Sequence, residues 1–175
     1  MTALLTLDLA TSTGWAAWRP GDSRVASGVV RMPKTGEDVG WFLDVFDARL
    51  RDLLTLHSPE MVVFEAPWIG PNTHQDTARK LLCLAGMTEL VCRRAGLRYR
   101  EANNASVRKH FIGKGRGDRR TLKDMTMRAC QQRGWDPEND DEADALALLD
   151  YAAHVCRIPV PWSCGGLFAE KGEAA

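Results

Sequence analysis

The first strand and the turn after it constrain the fold more than any other stretch of this chain. An apolar run from Leu4 to Leu9 carries a single carboxylate, Asp8, near its end. A small, hydroxyl-rich turn follows, and residues 14–19 then return as a second strand. A charge at a buried strand is costly unless something compensates it. Asp8 therefore either caps the turn through the nearby backbone or belongs to a functional site.

Composition narrows the class of protein. The 175 residues are enough for one domain with a proper core. There are 23 Lys plus Arg and 23 Asp plus Glu residues, so the net charge is zero. The overall charge therefore does not indicate nucleic-acid binding, and any evidence for it must come from local basic patches. The five cysteines are odd in number and widely spaced, which predicts reduced thiols in a cytoplasmic protein and neither a disulfide framework nor a zinc site. No apolar stretch approaches membrane-spanning length.

Hydrophobic periodicity predicts an α/β order of elements. The expected strands are 2–9, 14–19, 24–32, 61–65 and 97–101, and the expected helices are 39–57, 75–95, 105–111, 121–133 and 140–156. The first three strands are close enough for an antiparallel meander, and right-handed crossovers then add two parallel strands. We expect a mixed five-stranded sheet with helices on both faces, in one domain over residues 1–158, and a peripheral tail over 159–175.

Carboxylates recur at the ends of two later elements. Glu65 ends the fourth strand, which can lie parallel beside the first and so bring Glu65 next to Asp8. Asp141 and Asp144 are three apart on the last helix and share a face. Acids in a first helical turn favour the macrodipole, and this alone could explain Asp141. Asp144 lies among alanines and leucines, which favours a function.

Carboxylates that converge from two strands and a helix repel one another, and a divalent cation is the usual remedy. Oxygen ligands suit Mg²⁺ or Mn²⁺, and the absence of His and Cys from the acidic motifs argues against zinc. Two such ions about 4 Å apart can clamp the attacking and leaving oxygens of a phosphodiester. The acids therefore predict a site for divalent cations, two ions per active site, of a kind that can act on a phosphodiester.

The acidic motifs resemble those of RuvC-type Holliday junction resolvases, which belong to the RNase H-like superfamily. The resemblance covers roughly residues 3–155 and includes the strand with Asp8, the strand ending in Glu65, the motif Asp141-Glu142-Ala143-Asp144-Ala145-Leu146-Ala147, residues 107–113 and the glycine-rich basic loop beyond them. It implies an RNase H-like fold and a homodimer that cuts branched DNA, such as a four-way junction, with Mg²⁺. By motif, the catalytic metal ligands are Asp8, Glu65, Asp141 and Asp144.

The resemblance also implies roles for two basic residues and one aromatic. Arg108 and Arg119 fall where the family has basic residues, usually lysine, near the scissile phosphate, and we count Arg119 as catalytic. Trp68 falls where the family has an aromatic that meets unpaired bases; read from the sequence alone, it is either a stacking platform or a lid over the core. The Ala66-Pro67 pair before it departs from the cellular bacterial pattern and raises the question of a phage origin.

A local basic cluster stands in this otherwise neutral chain. It is either a solvated surface or a DNA contact, and its neighbouring glycines, which let backbone amides approach phosphates, favour the second. We expect residues 113–120 to lack regular structure. The cluster contains Lys114, Arg116, Arg119, Arg120 and Lys123.

Three alternatives remain at this point. The same acids would serve a nuclease that cuts the RNA strand of an RNA–DNA hybrid. Residues 8–14 also resemble the phosphate-binding turn of actin-like sugar kinases, although those need two lobes and this chain is too short for both. The third is a binding protein on a degenerate nuclease fold, which the presence of all four acids disfavours.

Overall fold

The chain alternates strands and helices in the order that the periodicity predicts. A computed structural model describes residues 2–33 and 38–162. Its elements are β1 (Leu4–Asp8), β2 (Ser12–Trp18), β3 (Ala26–Arg31), α1 (Val39–His57), β4 (Met61–Glu65), α2 (Gln75–Arg94), β5 (Arg98–Ala102), α3 (Asn104–Ile112), α4 (Arg119–Gln132) and α5 (Asp140–Val155).

The strands form one mixed sheet in the order β3-β2-β1-β4-β5. β1 to β3 are an antiparallel meander, whereas β4 is parallel to β1 and β5 is parallel to β4. Leu7 of β1 pairs with Phe64 of β4, so the next residues along the two strands, Asp8 and Glu65, leave the sheet side by side. The expected fold class and the expected neighbourhood of these two acids are confirmed.

Helices cover both faces of the sheet because side chains alternate along each strand. Leu4 and Val63 pack with α3, α4 and α5 on one face. Leu5 and Val62 pack with α1 and α2 on the other. α5 is apolar almost all round and lies directly on the central strands, with Leu146 and Leu149 fully buried. Among the described residues, no helix is long and apolar enough to cross a membrane.

Several expected boundaries differ by one or two residues, and one of them bears on the basic residues. α4 begins at Arg119, not at Thr121, because the Asp118 side chain caps it by accepting from the Thr121 backbone N–H at 2.9 Å. Arg119 and Arg120 therefore lie in the first turn of a helix and outside the irregular glycine-rich loop.

The packed structure also continues past the expected domain boundary at residue 158. The Trp162 indole donates to Asp150 at 3.0 Å and meets Trp18 edge to face. Val160 and Trp162 thus pack against the core, and the position of the domain boundary stays a prediction. The rest of the expected tail, 163–175, lies outside the described residues.

Candidate active site

The candidate site lies where β1 and β4 end and α5 begins. Asp8 and Glu65 are the last residues of their strands, and Asp141 and Asp144 lie in the first turns of α5. The Asn139 side chain caps α5 by accepting from the Glu142 backbone N–H at 3.0 Å. Three separate elements thus bring the four acids to one edge of the sheet.

Gly14 permits this convergence. It pairs with Asp8 across β1 and β2, and the start of α5 lies directly against it. A Cβ atom at position 14 would stand 1.8 Å from the Asp141 carbonyl oxygen, far inside any allowed contact. Only glycine lets the Asp141 backbone come this close to the end of β1. The sequence analysis missed this residue, since a glycine at a turn gives no sign of what it faces.

Two buried polar side chains tie α5 to the sheet. The Thr6 hydroxyl on β1 hydrogen-bonds the Ala145 carbonyl at 2.8 Å. Glu142 lies between the candidate ligands Asp141 and Asp144 in the sequence, and its side chain is buried. Its carboxylate accepts from the Ser27 hydroxyl at 2.6 Å and from the Glu138 backbone N–H at 2.8 Å. Glu142 therefore holds α5 against β3 through a direct hydrogen bond. This role is separate from the favourable interaction of an acidic side chain with the dipole of α5.

The electrostatics show that the four acids interact. Burial raises the pKa of Asp8 well above its ordinary value, and the charges of Glu65, Asp144 and Asp141 raise it further. Burial also raises the pKa of Asp144 to about 6, against the opposing effect of the Arg108 guanidinium. Buried like charges of this kind cost stability. Their concentration at one edge of the sheet is what a site for a cation requires.

The donor set fits a hard divalent cation. All four candidate ligands supply carboxylate oxygen, which Mg²⁺ and Mn²⁺ prefer. Within the described part of the chain, no three acidic, histidine or cysteine side chains are already arranged to hold a metal ion. Side-chain rotations would be needed for the four carboxylates to close around an ion.

α3 places two side chains against the acids. The Arg108 guanidinium lies 3.9 Å from the Asp144 carboxylate, and the Asn104 amide donates to Glu65. Arg108 thus lies beside a candidate ligand and also lines the adjoining cleft. Asn104 was not singled out by the sequence analysis.

A cleft of 830 Å³ adjoins the site, and several predicted DNA-binding residues line it: Trp68, Arg108, Arg116 and Arg119. Trp68 is 74% exposed, so it does not cover the core, and its stacking role stays a prediction. The loop residue Lys114 is exposed outside the cleft lining.

The other two basic residues line a neighbouring recess beside Asp140. There the Lys123 ammonium forms an ion pair with Asp140 at the start of α5. Lys123 is therefore engaged within the protein, whereas Arg120 is exposed.

Comparisons with known proteins settle the family. A family model described as "Crossover junction endodeoxyribonuclease RuvC" matches residues 11–150. The chain belongs to the RuvC family. It is similar to the crossover junction endodeoxyribonuclease RuvC of Chelativorans sp. (strain BNC1), 32% identical over 150 residues that cover 84% of this chain and 85% of the relative. The RuvC of Allorhizobium ampelinum is 31% identical over 145 residues, covering 81% and 83% of the two chains.

A solved structure supports the fold. Thermus thermophilus RuvC in complex with Holliday junction substrate aligns with a TM-score of 0.71 at 19% identity, covering 90% of this chain and 96% of that one. The resemblance stated from the acidic motifs is therefore confirmed at the level of family and RNase H-like fold.

Proposed function

We propose that this protein is an endodeoxyribonuclease that cuts Holliday junctions, or other branched DNA, by metal-assisted hydrolysis of a phosphodiester. One observation carries the proposal: β1 and β4 end side by side and α5 begins against Gly14 beside them, so that four carboxylates from three elements lie at the same end of the sheet. Membership of the RuvC family supports DNA junctions as the substrate class.

The four carboxylates would hold the metal, two Mg²⁺ or Mn²⁺ ions per site, since all offer oxygen ligands to a hard cation. Bound divalent ions would supply an activated water and would neutralise charge that develops on the phosphate. The protein's own part is to orient the scissile phosphate and to hold it with Arg108 and Arg119, both of which line the cleft beside the acids.

The remaining predicted contacts would position the DNA. Trp68 offers an exposed indole face to an unpaired base, and Lys114, Arg116 and Arg120 offer exposed cations to the phosphate backbone. Lys123 is paired with Asp140, so it would mainly stabilise the contact between α4 and α5 and would contribute little to DNA binding. The acting form would be a homodimer, because two active sites related by a twofold axis match two symmetric cuts in a junction. We place it in the cytoplasm, in keeping with the four free cysteines of the described residues.

The alternatives are weaker. The described residues form one five-stranded sheet, not the two lobes that an actin-like kinase needs. Cutting of an RNA–DNA hybrid would use the same acids. A panel of four-way junction, duplex and hybrid substrates, each with and without Mg²⁺, separates these activities. Cleavage of the hybrid in preference to the junction would overturn the proposal.

Amide variants of the acids test the site directly. Asp8→Asn, Glu65→Gln and Asp144→Asn should abolish junction cleavage, because a neutral amide cannot balance the cation charge. Asp141→Asn should also lower it, by no more than Asp144→Asn. Junction binding should survive, since phosphate contacts dominate affinity, and folding should survive too, because each change removes a charge from a repulsive cluster. Cleavage rate and binding are measured on the same preparations, and wild-type cleavage by Asp8→Asn or Glu65→Gln would refute the metal-site assignment.

A further inference from the structure

The start of α3 lies against Glu65 because β4 and β5 stay paired to their ends. Glu65 pairs with Ala102 in the sheet, and the Ala66 backbone N–H then donates to the Ala102 carbonyl at 2.8 Å. The chain leaves β5 one residue later and enters α3. Asn104, the first residue of that helix, thus meets the Glu65 side chain, although the two are 39 residues apart in the chain.

Two consecutive asparagines at the start of α3 make different contacts. Asn103 is the cap of α3 and accepts from the Ser106 backbone N–H at 3.2 Å. Asparagine side chains at such positions usually turn back to their own backbone. Because Asn103 already does so, the Asn104 side chain is free to donate from its amide nitrogen to Oε1 of Glu65.

α3 thereby supports two of the four acids from one face. Asn104 and Arg108 are four residues apart, so they lie above one another on the helix. Asn104 contacts Glu65, and Arg108 lies 3.9 Å from Asp144. The two contacts differ in charge: an amide restrains a carboxylate without neutralising it and leaves its full charge for a cation, whereas a lysine or arginine there would compete with the cation.

We propose that Asn104 is a positioning residue that holds one oxygen of Glu65, so that the other oxygen is presented to the acid cluster and to a divalent cation. The inference rests on the proposed function, since it takes Glu65 to be a metal ligand. Hydrogen-bond partners of metal ligands typically change metal affinity by about 10- to 100-fold when they are removed.

The test measures Mn²⁺ binding by the full-length protein without DNA, using the electron paramagnetic resonance signal of free Mn²⁺. Asn104→Ala should weaken binding by about 10-fold. Asn104→Leu, which is of similar size but has no donor, should weaken it to the same extent, and Asn104→Gln, which keeps the donor, should restore part of it. The Mn²⁺ concentration that gives half of the maximal single-turnover cleavage rate should move in the same order.

Asn103→Ala is the matched control. It removes the cap of the same helix, so it should lower thermal stability while Mn²⁺ affinity stays close to the wild-type value. Equal loss of affinity in Asn103→Ala and Asn104→Ala would mean that helix stability matters and the amide does not, which overturns the inference.

Glu65→Gln separates the inference from the proposed function. If Glu65→Gln leaves Mn²⁺ binding unchanged, the proposed metal site is wrong. If Glu65→Gln impairs binding while Asn104→Ala and Asn104→Leu both bind Mn²⁺ like the wild type, the metal site stands and the role of Asn104 is refuted.

Discussion

Three carboxylates on α5 show how the neighbours of a side chain decide its role. Glu142 is buried and satisfied by Ser27 and a backbone N–H. Asp144 faces other acids, and its pKa is raised to about 6, chiefly by burial. Asp150 is only 8% exposed, yet its pKa is lowered. The same helix therefore carries an anchor, a candidate metal ligand and a paired structural acid.

Asp150 joins α5 to α3, α4 and the segment after α5. Burial by itself raises its pKa, but contacts with three partners outweigh that effect and lower it. His110 lies 3.1 Å away, Arg133 3.3 Å and the Trp162 indole nitrogen 3.0 Å. Since the folded-state pKa lies below the unfolded value of about 4, this carboxylate stabilises the protein above that pH, and the stabilisation is lost as pH falls through the folded-state pKa.

Replacing Asp150 by Asn should therefore destabilise the protein in a pH-dependent way. At pH 6 we expect a loss of about 3 kcal/mol, because the buried guanidinium of Arg133 loses its partner. The loss should shrink as pH falls below about 4. Urea unfolding of the variant and the wild type between pH 6 and pH 2.5 measures the stability loss and its decrease at low pH. The control is Asp52→Asn on α1, where the aspartate is exposed. A difference that stays constant over this range would contradict the assignment.

At the scale of elements, α4 begins in an electrostatically unfavourable way. Its first two residues are Arg119 and Arg120, whereas a helix N-terminus favours anions. Two cations at this end cost the free helix roughly 0.3–1 kcal/mol each at the surface. A phosphate near the same turn would offset that cost by pairing with the two arginines, whereas the backbone N–H groups there already donate to the Asp118 carboxylate.

The cations of this region should divide into two kinds. Arg119→Ala should lower the single-turnover cleavage rate at saturating enzyme by about 100-fold, because Arg119 lines the cleft beside the acids and would stabilise charge at the phosphate. Lys114→Ala and Arg116→Ala should leave that rate unchanged, and each should reduce the slope of log affinity against log salt by roughly 1. A wild-type cleavage rate in Arg119→Ala would mean that Arg119 only contacts the phosphate backbone and does not contribute to the chemical step.

The contact between β2 and α5 makes another element-scale prediction. Gly14→Ala should displace the start of α5, because the added methyl would overlap the Asp141 carbonyl. We expect a stability loss of about 3 kcal/mol or more and loss of cleavage, with junction binding less affected. Wild-type cleavage by Gly14→Ala would contradict the close approach.

At the scale of the whole molecule, α2 offers the surface for the proposed homodimer. Leu82, Gly86 and Leu90 follow one another at four-residue spacing on a single face. Leu82 is 55% exposed and Leu90 42% exposed, and the space above Gly86 is open. An apolar stripe with a glycine at its centre suits close packing against a second copy of the same helix.

Placing charges on this stripe should separate the subunits. The double variant Leu82→Glu/Leu90→Glu should sediment as a monomer at micromolar concentration and should lose paired cutting of a junction while each chain stays folded. The control is Leu56→Glu on α1, where the leucine is 72% exposed; it should remain dimeric. A dimer that persists in the double variant would place the interface elsewhere.

The elements and the acids at their ends were predictable from the sequence. Alternating and helical apolar patterns act over a few residues, so they revealed all five strands and all five helices of the described chain, and the β1–β4 neighbourhood followed from the handedness of crossovers. Asp8 and Glu65 stood out because a charge ends an apolar strand. The start of α4 was missed because the residues around Asp118 are mainly glycine and arginine, so no apolar pattern marked Asp118 as the helix cap.

What supports the acids was decided only by the tertiary structure. Ser27 and Glu142 are 115 residues apart, and Asn104 and Glu65 are 39 apart. No local pattern connects such pairs, because each contact exists only after the sheet has formed and α3 and α5 have packed on it. Gly14 is the clearest case: its sequence context is a simple turn, and its importance comes from the Asp141 backbone that packing brings within reach of it.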